Sequence, residues 1–285
     1  MSDFKDPRRE LSSRGLRPKR SFGQNFLTAP QIIDAIALAC VPDDEQHRAR
    51  VLEIGGGTGV LTRALLRRAA HVTVVERDRE LIPLLEETFA EEIAQGRLRV
   101  VEADGAQVSY EDLLGPEGPR VLAGNLPYQI TGKLVERAIH AAAALERVVV
   151  MVQLEVAERL VAMPGTKEYG ALSVFTQAAF DAKIIRRVPK GAFFPPPDIT
   201  SAVVALAPCR PPRALETDTF RSVVKDAFGM RRKTLRNAWR ALGEPGDVER
   251  WAQEAGVNLD ARGETLGVSD FARMADAIRR PRPAL

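Results

Sequence analysis

The chain has 285 residues, 45% hydrophobic and 28% charged, with a net charge of only +3. That length accommodates one large domain and a small one, and so balanced a charge means that partners must be read from where the charges sit. Two distant cysteines (Cys40, Cys209), three scattered histidines (His47, His71, His140) and the absence of any long apolar run exclude a disulfide scaffold, a clustered metal site and a membrane span; a soluble, cytoplasmic, metal-free protein is expected.

Residues 1–20 carry charge without apolar periodicity and predict a flexible basic arm, its first dozen residues disordered. Arg14, Arg17, Lys19 and Arg20 gather just before Ser21-Phe22-Gly23-Gln24-Asn25-Phe26-Leu27. Charge alone fits a solvated tail as well as a nucleic-acid contact. Pro30 suits the first turn of a helix, with Ile32, Ile33, Ile36, Ala37 and Cys40 on its apolar face. Val51–Ile54 reads as a buried strand that cannot continue through Gly55-Gly56-Gly57-Thr58-Gly59. Beyond that turn Leu61, Ala64 and Leu65 recur at helical spacing. Strands are then predicted over Val72–Val75, Leu98–Val101, Val121–Ala123 and Val148–Val152. Helices are predicted over Leu81–Ile93, Gly132–Ala144 and Ala171–Ala179. This alternation predicts an α/β domain with a mostly parallel sheet covered on both faces. Two late strands, Lys183–Val188 and Ser201–Ala207, bracket Phe193-Phe194-Pro195-Pro196-Pro197 and suit an antiparallel hairpin on the sheet edge. After Pro208, Pro211 and Pro212 only helical patterns remain, over Phe220–Phe228, Thr234–Ala241, Val248–Ala255 and Ser269–Ile278. The expected division is therefore an α/β domain over residues 21–208 and a small all-helical domain over 209–285.

The glycine turn reads Gly55-x-Gly57-x-Gly59, which misses the dinucleotide fingerprint by one residue and lacks the lysine of a phosphate-cradling loop. With Glu53 before it and Glu76 ending the next strand, it suits a ligand with a ribose but no pyrophosphate. Gly55, Glu76, Asp104 and Asn125 each follow or end a successive strand, so a parallel sheet brings them to one edge. Glu76 can accept from a ribose diol and Asp104 from an exocyclic amine. In Asn125-Leu126-Pro127-Tyr128, an amide oxygen and a backbone carbonyl can both accept from one NH₂ group, while Tyr128 stacks on the ring that carries it.

These segments resemble the ribosomal RNA adenine N6,N6-dimethyltransferases, and most closely the bacterial small-subunit branch. The matching stretches are Lys19–Leu27, Glu53–Gly59, Glu76-Arg77-Asp78, Asn125–Tyr128, Phe193–Pro197, Arg232–Asn237 and Arg262–Leu266. Two departures are Ser21, inserted between the basic residues and Phe22, and Gly263, where alanine is usual. The resemblance implies a class I S-adenosylmethionine-dependent methyltransferase, Rossmann-like with a seven-stranded sheet, acting as a monomer. S-adenosyl-L-methionine would be bound by Asn25, Leu27, Gly55, Glu76, Asp104 and Asn125. Catalysis would fall to Asn125, Leu126 and Tyr128, with Tyr128 and Phe193 or Phe194 stacking on an extruded adenine. The implied substrate is 16S ribosomal RNA within the 30S subunit, dimethylated at two adjacent adenines near its 3′ end, with a role in ribosome biogenesis. RNA contacts are expected from Arg17, Lys19 and Arg20 and from Arg231, Arg232, Lys233 and Arg236. Alternatives are a large-subunit dimethylase of the antibiotic-resistance type and a ribosome-assembly or transcription factor on the same fold. DNA adenine and protein glutamine methylases usually carry proline where Leu126 stands.

Overall fold

In the computed structural model, which describes residues 4–230 and 232–280, the valine-rich runs become strands. In chain order the strands are β1 (Phe26–Leu27), β2 (Arg50–Ile54), β3 (His71–Glu76), β4 (Leu98–Glu102) and β5 (Arg120–Asn125). There follow β6 (Arg147–Gln153), β7 (Phe180–Val188), β8 (Phe193–Phe194) and β9 (Ser201–Pro208). Seven of them form one sheet in the order β4-β3-β2-β5-β6-β9-β7. Strands β2 to β6 pair in parallel, whereas β9 runs antiparallel to β6 and so lies inside the sheet, leaving β7 at the edge. Val51, Val72, Val74, Val121, Val149 and Met151 are buried in one continuous core with Ile33, Ile36, Leu61 and Leu65 from the helices that cover the sheet. This is why those strands lack polar alternation.

The first of two units runs to Ala157 and resumes over Lys183–Pro208; the second comprises Glu158–Ala182 and the chain from Cys209. The single boundary expected at residue 208 is thus replaced by a discontinuous one. The physical reason lies in the helix Ala171–Ala179, whose Val174 and Ala178, with Tyr169 before it, are buried among Phe220, Val224, Trp239 and Phe271. Four further helices build that unit: Asp218–Gly229, Leu235–Ala238, Pro245–Ala255 and Val268–Arg279. Its two buried aromatic polar groups are satisfied: Trp239 Nε1 donates to the Val223 carbonyl and the Tyr169 hydroxyl to the Leu266 carbonyl, each at 2.8 Å. Gly263 is there for space. A Cβ on it would sit 2.9 Å from both Ala227 Cβ and the Ala227 carbonyl oxygen.

The amino-terminal expectation needs correction. Pro7–Ser13 is a helix, capped by the Asp6 carboxylate accepting from the Arg8 N–H at 2.9 Å, with Pro7 in its first turn. Leu11, 2% exposed, packs with Phe26 and Leu81 and ties the helix down. The expected helix over 81–93 is divided at Phe89 (φ −121°) into Ile82–Thr88 and Ala90–Ala94, although the Phe89 N–H still donates to the Leu85 carbonyl at 3.0 Å and the Ile93 N–H to the Phe89 carbonyl at 2.9 Å.

Candidate active site

The strand order reverses between β2 and β5, where sheets of this kind bind ligands outside the carboxyl ends of their strands. A cleft opens there, lined by Gly55, Glu76, Asp104, residues 21–26 and residues 125–130. Gly55, Gly57 and Gly59 take φ of 83°, 58° and 80°, a region in which any Cβ is strained. Every second residue of the turn is therefore held to glycine.

That turn and Glu76 hold each other. The Gly57 N–H donates to Glu76 Oε2 at 2.9 Å, while the Arg77 and Asp78 N–H groups donate to Oε1, both at 2.8 Å. Burial, to 8% exposure, pushes the Glu76 carboxyl up from its ordinary value, and these three donors oppose the shift. A carboxylate offers about four acceptor positions, so one remains on Oε2 for a ribose hydroxyl, fewer than the pair expected. Asp104 Oδ1 accepts from the Ala106 N–H at 2.9 Å, and Oδ2 lies 3.7 Å from Arg77 Nη1. Glu53 points elsewhere. It is buried beneath the turn, accepts from Thr62 Oγ1 at 2.7 Å, and burial pushes its carboxyl up to about 8.

At the end of β5, Asn125 Nδ2 donates to the Asn25 carbonyl at 2.8 Å. A carbonyl can only accept, so this bond fixes which end of the amide faces it and leaves Oδ1 as an acceptor in the cleft. The Leu126 side chain is buried and its N–H donates to the Met151 carbonyl at 3.0 Å. Tyr128 lines the cleft, its hydroxyl 2.6 Å from Ser201 Oγ.

The wall carrying Asn25 is latched to the sheet through Asp78, 3% exposed. Lys19 Nζ donates to Asp78 Oδ1 and Gln24 Nε2 to Oδ2, both at 2.7 Å, and the Lys19 N–H donates to Gln24 Oε1 at 2.8 Å. Burial alone would raise the Asp78 carboxyl, but Lys19 and Gln24 outweigh it and hold it below the ordinary value. Lys19 also lies 3.1 Å from Glu80 Oε2. Lys19 is thus engaged by two acids, which its place in a basic run did not suggest. Reading by residue type missed Gln24 and Asp78 as structural members of the site and missed Ser201 altogether; nothing near Ser201 in sequence points to the cleft.

Other expected residues are placed less directly. Leu27 and Phe193 are core residues, Phe193 only 4% exposed, and neither lines the cleft; nor does Phe194, which packs half-buried beside Phe26. The pairs Phe26↔Phe194 and Leu27↔Phe193 of the β1–β8 ribbon explain this: they bind the Asn25 segment to the proline-rich one. Arg17, Arg20, Arg232 and Lys233 are exposed. Arg236 pairs with Glu249 at 2.8 Å and Asp260 at 3.4 Å, so the basic helix is less free in charge than its own residues suggest. Arg231 lies outside the described residues. Among the described residues no His, Cys, Asp and Glu group suits a metal ion, and no helix is long and apolar enough to cross a membrane.

Residues 15–280 match the ribosomal RNA adenine dimethylase family. The chain is 44% identical over 274 residues to the ribosomal RNA small subunit methyltransferase A of Magnetococcus marinus, covering 93% of this chain and 94% of that one. Its identity to the protein of the same name from Anaeromyxobacter sp. (strain K) is 40% over 284 residues, covering 95% and 97%. Among solved structures, the 23S rRNA methyltransferase ErmE is similar with a TM-score of 0.67 and 26% identity over 90% of this chain and 100% of that one. A dimethyladenosine transferase from Plasmodium falciparum shares the fold, with a TM-score of 0.72 at 24% identity over 87% and 95%.

Proposed function

Because the chain belongs to the ribosomal RNA adenine dimethylase family, and is therefore a methyltransferase, we propose that it dimethylates N6 of two adjacent adenines near the 3′ end of 16S ribosomal RNA in the small subunit. S-adenosylmethionine, when bound, supplies the electrophilic methyl group. The residues of the cleft suit that cofactor. The Gly55 backbone has no Cβ to obstruct close approach, Glu76 Oε2 retains one acceptor position for a ribose hydroxyl, and Asp104 carries a carboxylate for an exocyclic amine. Asn25 and Asn125 are joined by a hydrogen bond across the same cleft.

One observation carries the reading: Asn125 Nδ2 is taken up by the Asn25 carbonyl, so that Oδ1 is the end of the amide left to accept, and in this mechanism the Leu126 carbonyl is the second acceptor. The lone pair of an adenine N6 is delocalised into the purine ring and is a poor nucleophile until the nitrogen pyramidalises. Two acceptors beside each other draw both N6 hydrogens out of the ring plane, and they stabilise that geometry more than the planar ground state. After transfer the nitrogen is strongly acidic, so its proton needs no dedicated base. Tyr128 serves as a stacking platform for the extruded base; neither phenylalanine lines the cleft, and of the two only Phe194 is partly exposed. Arg17, Arg20, Arg232 and Lys233 supply phosphate contacts. The agreement of near-full-length relatives favours the small subunit over the 23S alternative. The test is incubation of 30S particles lacking the modification, and separately of unmodified 23S RNA, with radiolabelled S-adenosylmethionine, followed by mapping. Dimethyladenine at two adjacent adenines near the 3′ end of 16S RNA is expected. Label confined to 23S RNA, or tight 30S binding without label, would replace this reading with one of the alternatives.

A further inference from the structure

We propose that Ser201 is a positioning residue for methylation, its buried hydroxyl holding the Tyr128 ring in the plane on which the target adenine stacks. The proposal rests on the reading of Tyr128 as that platform. Ser201 is 0% exposed and opens β9 opposite Gln153 of β6. Beside it the Leu154 N–H donates to the Thr200 carbonyl at 3.0 Å, so the backbone that carries the hydroxyl is pinned. Ser201 Oγ lies 2.6 Å from the Tyr128 hydroxyl, 73 residues away in sequence.

Tyr128 itself stands on weaker ground. It begins a single 3-10 turn, Tyr128–Ile130, whose closing bond is Ile130 N–H to the Pro127 carbonyl at 3.2 Å. Such a turn fixes the Cα but leaves the side-chain torsions to their surroundings. The bond at the far end of the ring removes that freedom, since a ring held at both ends has one orientation. A buried serine hydroxyl left without this partner is costly, so the arrangement is favoured from both sides. Burial raises the Tyr128 phenol above its ordinary value, with the Ser201 hydrogen bond opposing the shift. A phenol that stays protonated can anchor the ring but cannot act as a general base. Asn125 is treated in the same way by the Asn25 carbonyl, so both side chains that would meet the adenine are oriented by segments remote in sequence.

Ser201→Ala and Tyr128→Phe remove the bond from opposite ends, and the second changes no residue of β9. Each is expected to slow single-turnover methylation of 30S particles about tenfold at saturating cofactor, with the double variant no slower than either single one. Calorimetric affinity for S-adenosylmethionine and KM for the particle are expected to stay unchanged, a split that a general loosening of the fold would not give. Tyr128→Ala is the control for the platform. If it is slow while Tyr128→Phe and Ser201→Ala run at the wild-type rate, the positioning role is overturned and the stacking reading stands. A wild-type rate for Tyr128→Ala overturns both. Losses that multiply in the double variant show that the two residues do not act through one bond, and overturn the proposal as well.

Discussion

In the proposed mechanism Asn125 offers the reaction a single atom, Oδ1, since its other end is occupied by the Asn25 carbonyl. Asn125→Ala therefore removes an acceptor whose bond strengthens as N6 pyramidalises, and the expected loss is about a hundredfold or more in the rate of the first methyl transfer. Cofactor affinity falls somewhat too, because the link to the Asn25 wall is cut, so the rate is read by single turnover at saturating cofactor. A near-normal rate would reduce Asn125 to a turn residue. Glu53 shows a different behaviour at the same scale. Its carboxyl titrates near 4.5 in the unfolded chain and at about 8 in the folded one. Between these values the native state keeps a proton that the unfolded state has released, so stability from this group is full below about pH 4.5 and is lost as pH rises towards 8. Glu53→Gln keeps an acceptor for Thr62 Oγ1 without the titration. Its melting temperature relative to wild type is expected to climb steadily from pH 5 to pH 8, and a constant difference would show that Glu53 is ionised throughout.

Elements defined by a hydrophobic period were legible in the sequence, and those defined by a distant partner were not. The helix Ala171–Ala179 and strands β2, β3 and β6 followed from spacing alone. Strands β1 and β8 have two residues each and no period; they exist because Phe26 and Leu27 meet Phe194 and Phe193. The glycine turn, Glu76, Asp104 and Asn125 could be assigned to one sheet edge because each ends a parallel strand. The latch of Lys19 and Gln24 on Asp78 could not, since 59 and 54 residues separate the partners. The same blindness affects charge. Lys19 and Arg236 look like members of basic runs, yet both are paired with acids, whereas Arg232 and Lys233 are exposed. These differences should appear in the salt dependence of binding to 30S particles. Replacing Arg232 and Lys233 together by alanine should lower the slope of log affinity against log salt by about 1.5, near the value for two phosphate contacts. Lys19→Ala and Arg236→Ala should each change it by clearly less than half of that. Equal changes at all four positions would mean that the ion pairs open on binding.

For the whole molecule, the decisive feature is that the helical unit is not a carboxyl-terminal appendage. It takes Glu158–Ala182 from the middle of the chain and closes its core with helices from beyond Cys209. Tyr169, Val174 and Ala178, all buried, face Phe220, Trp239 and Phe271 within that core, and the Tyr169 hydroxyl has its partner in the Leu266 carbonyl. A chain ending at residue 208 would retain the sheet and every cleft residue, and on sequence grounds it would be a complete methyltransferase domain. The structure predicts otherwise. Truncation strips the cover from the Ala171–Ala179 helix, leaving large apolar side chains and a phenol that lost its acceptor exposed to water. An apolar surface of that kind promotes association and local melting. The helix is followed directly by β7, so its disorder reaches an edge strand of the sheet. The 1–208 fragment is therefore expected to bind a hydrophobic dye, to elute as aggregates in size-exclusion chromatography and to melt well below the intact chain. A fragment that is monomeric, does not bind the dye and unfolds cooperatively at the temperature of the full protein would show that Glu158–Ala182 folds without its helical partners.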